Sequence, residues 1–364
     1  MSLSIGIVGL PNVGKSTLFN ALLKKQTAFV ANYPFATIEP NIGVVPVPDE
    51  RLQVLAEITA NEHNPSTSSG PTGMLKLPPI IPATVSFVDI AGLVKGAATG
   101  EGLGNKFLSH IRECDAIAQV VRYFKDTNVI REKSSTDAKS DFEVVNTELI
   151  LADLQTLDNQ REPKRNATKE DGYRWSAVLK LKTALNEGKL ANVVQLTEEE
   201  AREAKSLQLL TAKPMFTIAN VDEDELTKDF GADTIAVCAK TESELSELSA
   251  EEAAEYLKSL GVEESGLERV IKEGYKMLNL ISYLTCGEKE VRAWTITKGS
   301  TALTAAGVIH TDFMKKFIKA EVVHFADFVE LNGWRGSREK GKALLEGKDY
   351  VVVDGDVIEF KIGA

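Results

Sequence analysis

The sequence predicts an α/β protein with a mostly parallel sheet, and three observations carry that prediction. Apolar runs rich in β-branched residues recur at Ile5 to Val8, Thr84 to Val88, Ala116 to Val121 and Pro214 to Ala219, each the pattern of a short buried strand. Helical stretches separate them, the alternation that a parallel sheet with crossover helices requires. The first run leads into Gly9-Leu-Pro-Asn-Val-Gly-Lys-Ser16, a complete G-x-x-x-x-G-K-S loop, with a helical pattern starting near Lys15.

That loop is a triphosphate cradle. Gly9 and Gly14 allow backbone conformations that a side chain obstructs, so consecutive N–H groups and a helix N-terminus converge on a β-phosphate. Lys15 is placed to bridge the β- and γ-oxygens. The Ser16 hydroxyl suits Mg²⁺, a small hard ion that prefers oxygen and keeps several waters. Downstream, Asp89-Ile-Ala-Gly92 ends the second strand, a D-x-x-G placement in which Asp89 holds a Mg²⁺-bound water and the Gly92 N–H meets the γ-phosphate. Between them, Asn32-Tyr-Pro-Phe-Ala-Thr37 reads as a switch segment whose Thr37 hydroxyl completes the Mg²⁺ shell when the γ-phosphate is present. Gly96 to Gly104 holds four glycines and reads as a second switch. Leu93 stands where many switch GTPases place a water-orienting Gln, so slow intrinsic turnover is expected.

The base-reading position departs from the guanine pattern. Asn220-Val-Asp-Glu223 closes the strand Pro214 to Ala219, where a guanine reader has Asn-Lys-x-Asp. An Asp there accepts bidentately from guanine N1–H and N2–H₂. Glu223 adds a methylene that shifts the carboxylate, and Val221 lacks the lysine stem that packs on the base. Guanine selectivity is therefore expected to be lost, while adenine can meet Asn220 and the Val221 backbone. Cys238-Ala-Lys240, after a strand-like Thr234 to Val237, is a candidate source of a further N–H to the base.

Between Ala116 to Val121 and Pro214 to Ala219 the interval is too long for one crossover and reads as inserted helices. Phe142, Val145, Leu149 and Ala152 form one apolar stripe, Trp175, Val178, Leu179 and Leu185 a second, with a polar turn around Pro163 to Gly172. A third helix starts at Thr197, with Glu200 completing a capping box. Asn61 to Pro82, rich in Pro, Ser, Thr and Gly, reads as a loop. After Leu280, Arg292 to Thr297 alternates as a strand, and Tyr350 to Asp354 and Val357 to Ile362 flank the turn Asp354-Gly355-Asp356.

Composition narrows the partners. With 364 residues and 43% apolar composition the chain can fill two or three cores. A net charge of −11 excludes a surface of general positive potential, so nucleic acid would need a local basic patch, and DNA is not expected. Trp334-Arg-Gly-Ser-Arg-Glu-Lys-Gly-Lys342 is the most basic stretch of the last domain, and either an RNA contact or a solvated loop with an anchoring Trp accounts for it. Three separated cysteines fit a reducing compartment. No signal-peptide pattern and no run of ~20 apolar residues is present, so a cytoplasmic protein without membrane insertion is expected.

Taken together, Gly9 to Thr17, Asn32-Tyr-Pro-Phe-Ala-Thr-Ile-Glu-Pro-Asn41, Asp89-Ile-Ala-Gly-Leu-Val-Lys-Gly96, Gly100-Glu-Gly-Leu-Gly-Asn-Lys-Phe107 and Asn220-Val-Asp-Glu223 closely resemble the Obg-like ATPases of the YchF subfamily, nearly end to end. The resemblance implies a Ras-like, Obg-related P-loop NTPase domain in two parts (residues 1–129 and 207–280), interrupted by a helical hairpin domain (130–206) and followed by a β-grasp TGS domain (281–364). The last is carried by Gly307 to Val322 and Asp354-Gly-Asp-Val-Ile358. It further implies an ATP-preferring hydrolase that associates with the ribosome through large-subunit or rRNA contacts. Asn12, Val13, Gly14, Lys15, Ser16 and Thr17 would hold the phosphates, Ser16 and Thr37 the Mg²⁺, and the Val221 backbone the adenine. Asn12 matches a P-loop Asn of potassium-stimulated relatives, which adds K⁺ as a second cation. Gln119 stands where many members carry His, so a catalytic role for that His does not transfer. Two other readings remain open here: an Obg-like GTPase, and a nucleotide-regulated RNA or ribosome adaptor whose hydrolysis is incidental.

Overall fold

The structure, a computed structural model, describes residues 3–32, 41–63, 77–90, 103–126, 137–164 and 167–363. Along the chain, β1 (Ser4–Val8) leads into α1 (Lys15–Asn32), β2 (Ile42–Pro46), α2 (Arg51–His63), β3 (Ile80–Ile81), β4 (Thr84–Asp89), α3 (Leu103–Glu113) and β5 (Ala116–Arg122). Next come α4 (Ala138–Asp158), α5 (Lys169–Asn186), α6 (Glu198–Ala204), β6 (Met215–Asn220), β7 (Thr234–Val237), α7 (Ala239–Leu245), α8 (Ala250–Ser259) and α9 (Gly266–Met277). Two compact units result, one of residues 1–45 with 86–270 and one of residues 46–85 with 271–364.

The first unit is built on a six-stranded sheet of order β2-β4-β1-β5-β6-β7. Strands β4, β1, β5, β6 and β7 run parallel, in register Ile5↔Phe87, Ile5↔Ala116, Ala118↔Phe216 and Ala219↔Ala236. Ile5, Ile7, Phe87, Ile117, Phe216 and Ile218 are fully buried, which explains their near-continuous apolar runs: a parallel sheet is covered on both faces. Because the strands are parallel, the turns after β1, β4 and β6 emerge on one edge of the sheet, the edge at which open α/β sheets bind ligands.

The helical insert follows the expected pairing with one change of phase. Val145, Leu149 and Ala152 on α4 and Ala177, Val178, Leu181 and Leu185 on α5 are buried. Leu179, expected in the second stripe, is half exposed at 50%, because the buried face runs through Leu181 and Leu185. The polar turn is shorter than expected. Thr168 and Asp171 form a reciprocal capping box that starts α5 inside Pro163 to Gly172, and the box at Thr197 and Glu200 forms as expected. Asp153, fully buried on α4, accepts from the N–H groups of Leu210 and Thr211, both at 2.8 Å, and from the Thr211 hydroxyl at 2.6 Å. That carboxylate fixes where the chain leaves the insert and enters β6.

The second unit adds β8 (Leu280–Cys286), β9 (Val291–Thr297), α10 (Ala302–Ile309), α11 (Thr311–Lys316), β10 (Phe317–Val323), α12 (Phe325–Glu330), α13 (Trp334–Glu339), β11 (Leu344–Glu346) and β12 (Val357–Ile362). Its mixed sheet has the order β11-β10-β12-β8-β9-β3. The loop expected at Asn61 to Pro82 is corrected at both ends. Helix α2 runs to His63, and Ile80–Ile81 adds as an edge strand parallel to β9, with Ile80 opposite Val291; residues 64–76 lie outside the described ones. Tyr350 to Asp354 is not a hairpin arm either, for only Val351 pairs, in an isolated bridge to Thr301. Side chains compete for that backbone. Asp356 accepts from the Val353 N–H at 2.9 Å and the Tyr350 hydroxyl at 2.8 Å, and Asp354 accepts from the Ser282 N–H at 2.8 Å. β12 pairs instead with β10 and β8.

Candidate nucleotide-binding site

The loop after β1 turns tightly because three of its residues leave the ordinary backbone regions. Gly9 has φ 155° and Gly14 φ 98°, and Asn12 is in the left-handed region at φ 62°, where Asn is among the few non-glycine residues commonly found. A Cβ on Gly9 would lie 2.5 Å from the Val120 carbonyl oxygen, and one on Gly14 only 2.1 Å from the Asn220 Nδ2. Both glycines are therefore needed for close approach, to β5 and to the end of β6 respectively.

Lys15 opens α1 and folds back over the loop, its Nζ donating to the Leu10 carbonyl oxygen at 2.7 Å. The side chain is 7% exposed. Burial pushes its pKa down to about 8, against the opposing pull of the Asp89 carboxylate. Asp89 shows the mirror effect, for burial raises its pKa and the Lys15 ammonium lowers it. The fold has thus gathered a lysine and a carboxylate, both partly dehydrated, beside a turn of N–H groups. Ser16 and Thr17 are exposed at the first turn of α1, and Val13 is buried beneath the loop. Thr37, Gly92 and Leu93 lie outside the described residues, as do 96–102 of the second switch.

At the end of β6, where a base-reading site is expected, the structure gives the predicted residues different partners from those expected. Asn220, 6% exposed, donates through Nδ2 to the Val13 carbonyl oxygen at 2.9 Å and accepts through Oδ1 from the Ala239 N–H at 3.1 Å. Its amide stitches the phosphate loop to the start of α7, and the N–H that Cys238-Ala-Lys240 was expected to offer a base is, at Ala239, used by Asn220. Val221 is buried at 1% exposure, and its N–H donates to the Val237 carbonyl oxygen at 2.9 Å. Glu223 opens a short 3₁₀ turn (Glu223–Glu225), and its Oε1 accepts from the Thr241 hydroxyl at 3.0 Å and the Tyr256 hydroxyl at 2.6 Å. Asp222 accepts from the Lys125 N–H at 3.0 Å. Sequence reasoning missed Thr241 and Tyr256. Thr241 adjoins the Cys238-Ala-Lys240 segment, but Tyr256 lies on another helix and carries no motif.

Gln119 is fully buried on β5 and donates to the Phe142 carbonyl oxygen at 3.2 Å, tying the strand to α4. The basic stretch of the second unit is largely ion-paired. Arg338 makes two bonds to the buried Glu321, at 2.8 and 2.9 Å, and one to Glu359 at 2.9 Å. Arg335 donates to Glu339 and Lys342 to Asp327. Trp334 packs edge-on to Phe328 at 5.3 Å, with the Arg338 guanidinium 5.2 Å from its ring centre. An anchoring tryptophan describes this geometry better than a stacking platform.

No cluster of three His, Cys, Asp or Glu side chains able to hold a metal occurs among the described residues. The donors at the loop are instead the Ser16 hydroxyl and the Asp89 carboxylate, which fit a hard cation that completes its shell with phosphate oxygens and water. No helix among the described residues is long and apolar enough to cross a membrane.

Known proteins are similar to this chain along its whole length. Residues 4–152 match the family described as 50S ribosome-binding GTPase, and residues 280–363 match the C-terminal family of the YchF GTPases, described as a protein of unknown function. The ribosome-binding ATPase YchF of Haemophilus influenzae is 49% identical over 377 aligned residues, with 99% of each chain covered. Its counterpart in Bacillus subtilis is 47% identical over 380, again with 99% of each covered. The solved Schizosaccharomyces pombe YchF GTPase superposes with a TM-score of 0.83 at 37% identity, covering 99% of this chain and 98% of its own. With relatives of this identity from end to end, beside a phosphate loop stitched to the end of β6, the chain belongs to the YchF family.

Proposed function

We propose that this protein is an ATP-binding and ATP-hydrolysing switch that associates with the ribosome, its nucleotide state controlling the segments around Thr37 and Gly92 to Gly104. The observation that carries the reading is the pairing of a complete phosphate loop with a base-reading strand whose acidic residue is Glu223, engaged by two hydroxyls. Relatives named ribosome-binding ATPases support the same choice of base and partner. The Schizosaccharomyces pombe relative is named a GTPase, which makes base choice the property to measure.

In this reading the loop N–H groups of residues 12 to 17 bind the β-phosphate, and Lys15 neutralises charge that builds on the β–γ bridging oxygen as the bond to the γ-phosphorus breaks. A water oxygen forms the new bond to phosphorus, giving ADP and inorganic phosphate; both water protons pass to the phosphate, which releases one to solvent at neutral pH. Ser16, Thr37 and Asp89 are the residues that would hold Mg²⁺, which when bound would supply Lewis-acid neutralisation of the phosphates. Asn12 is the residue that would offer an oxygen to K⁺. Because the Val221 N–H is used in the sheet, the adenine amino group is read by the Val221 carbonyl. By sequence we assign the nucleotide domain to 1–129 and 207–280, the helical insert to 130–206 and the TGS domain to 281–364, whereas packing groups residues 46–85 with 271–364.

ATP hydrolysis by the purified protein tests the reading. It should require Mg²⁺, rise in K⁺ over Na⁺, be slow alone and faster with ribosomes. Lys15→Ala should lower it by about 10²-fold or more. Unchanged hydrolysis in Lys15→Ala, or no ribosome association in any nucleotide state, would remove it.

A further inference from the structure

We propose that Tyr256 and Thr241 are specificity-determining positioning residues: by donating together to one oxygen of Glu223, they keep its carboxylate from serving as a two-oxygen acceptor for guanine. The inference rests on the reading above that the base lies at the ends of β6 and β7, and it names what sets the base choice there.

The geometry around Glu223 supports it. Both hydroxyls converge on the same atom, Oε1, at 2.6 Å from Tyr256 and 3.0 Å from Thr241. They come from different helices, α8 and α7, so the carboxylate is held from two sides. The Thr241 hydroxyl belongs to a side chain only 3% exposed, and a buried hydroxyl deprived of this acceptor would be left unsatisfied. The turn carrying Glu223 is itself fixed, by Asp222 accepting from the Lys125 N–H at 3.0 Å. The carboxylate beside the phenol also holds the Tyr256 pKa up, to about 12, so Tyr256 remains a donor throughout the neutral range.

The consequence is selective between purines. Guanine offers two donors, N1–H and N2–H₂, to a carboxylate with both oxygens available. Adenine offers an amino group beside the N1 lone pair, which a second carboxylate oxygen would repel. Occupying one oxygen therefore removes a contact that guanine uses and adenine does not. Freed of both hydroxyls, Glu223 has both carboxylate oxygens available as acceptors.

The test compares calorimetric affinities for ATP and GTP, with Mg²⁺, in the wild type, Tyr256→Phe and Tyr256→Phe/Thr241→Val. The ratio of GTP to ATP affinity should rise roughly tenfold in the double variant, as expected for gaining one bidentate base contact, and by a smaller factor in Tyr256→Phe. Adding Glu223→Gln to the double variant should cancel the rise, since a neutral amide cannot accept twice. Equal weakening of both nucleotides with an unmoved ratio would mark the hydroxyls as structural and overturn the proposal. Melting curves establish folding, and should the double variant not fold, Tyr256→Phe alone decides the matter. A wild type that binds ATP and GTP equally would overturn the ATP reading, whereas the tether is judged on the change in ratio from whatever value the wild type has.

Discussion

The Asn220 carboxamide fills the space beside Gly14, where an added Cβ would lie 2.1 Å from Nδ2. The phosphate loop and the end of β6 are thereby one mechanical piece, for the same amide bonds to Val13 on one side and Ala239 on the other. Asn220→Ala would leave a buried carbonyl and a buried N–H without partners, and should destabilise the protein by about 1–3 kcal/mol in denaturant unfolding. Because the lost contacts shape the loop and not the base pocket, ATP and GTP affinities should fall by the same factor. A loss confined to ATP would instead make Asn220 a base reader.

Lys15 gives the site a pH dependence. Its folded-state pKa, about 8, lies below the ordinary 10.5, so the native state releases this proton first, and the stability that Lys15 contributes rises as pH climbs from 8 towards 10.5. Binding runs the other way. A triphosphate favours the charged lysine, so nucleotide binding above pH 8 should take up a proton and weaken as pH rises. Calorimetry at about pH 9 in buffers of different ionisation enthalpy should detect uptake of about one proton per nucleotide, and Lys15→Ala should abolish it.

Asp153 should be a stability determinant of the first unit. Its two oxygens satisfy two N–H groups and a hydroxyl where the insert returns to β6, and Asp153→Ala would strand all three in a fully buried place. A loss of about 3 kcal/mol or more is expected in urea unfolding. A loss under about 1 kcal/mol would show that the junction relaxes around the cavity.

Acid should loosen the second unit through Glu321. The Arg338 guanidinium holds the Glu321 pKa below its ordinary value of 4.5, so the contribution of the pair is complete above pH 4.5 and is lost as pH falls below it. Arg338 is partly exposed, which limits the effect to about 1 kcal/mol. Glu321→Gln should remove this step from the acid-unfolding profile and leave neutral ATP affinity unchanged.

Much of this architecture is written locally. The strands of the parallel sheet are legible because both faces are buried, and the phosphate loop because its glycines follow from backbone geometry. The exposure of Leu179 is not legible in the sequence, since a helical stripe fixes the period of burial but not its phase. Ile80–Ile81 carries no strand signal of its own among the prolines, because a two-residue edge strand takes its structure from β9. The partners of Glu223 come from residues 18 and 33 positions away, a proximity that only the packed helices create. For the same reason the basic run around Trp334 conceals that Arg338 is already bound by Glu321.

The most direct measurement is equilibrium titration of the unmodified protein with ATP and with GTP, in Mg²⁺ and at one salt concentration. ATP should bind at least about tenfold more tightly, a difference of about 1.4 kcal/mol. Equal affinities, or tighter binding of GTP, would contradict a site in which Glu223 no longer reads guanine.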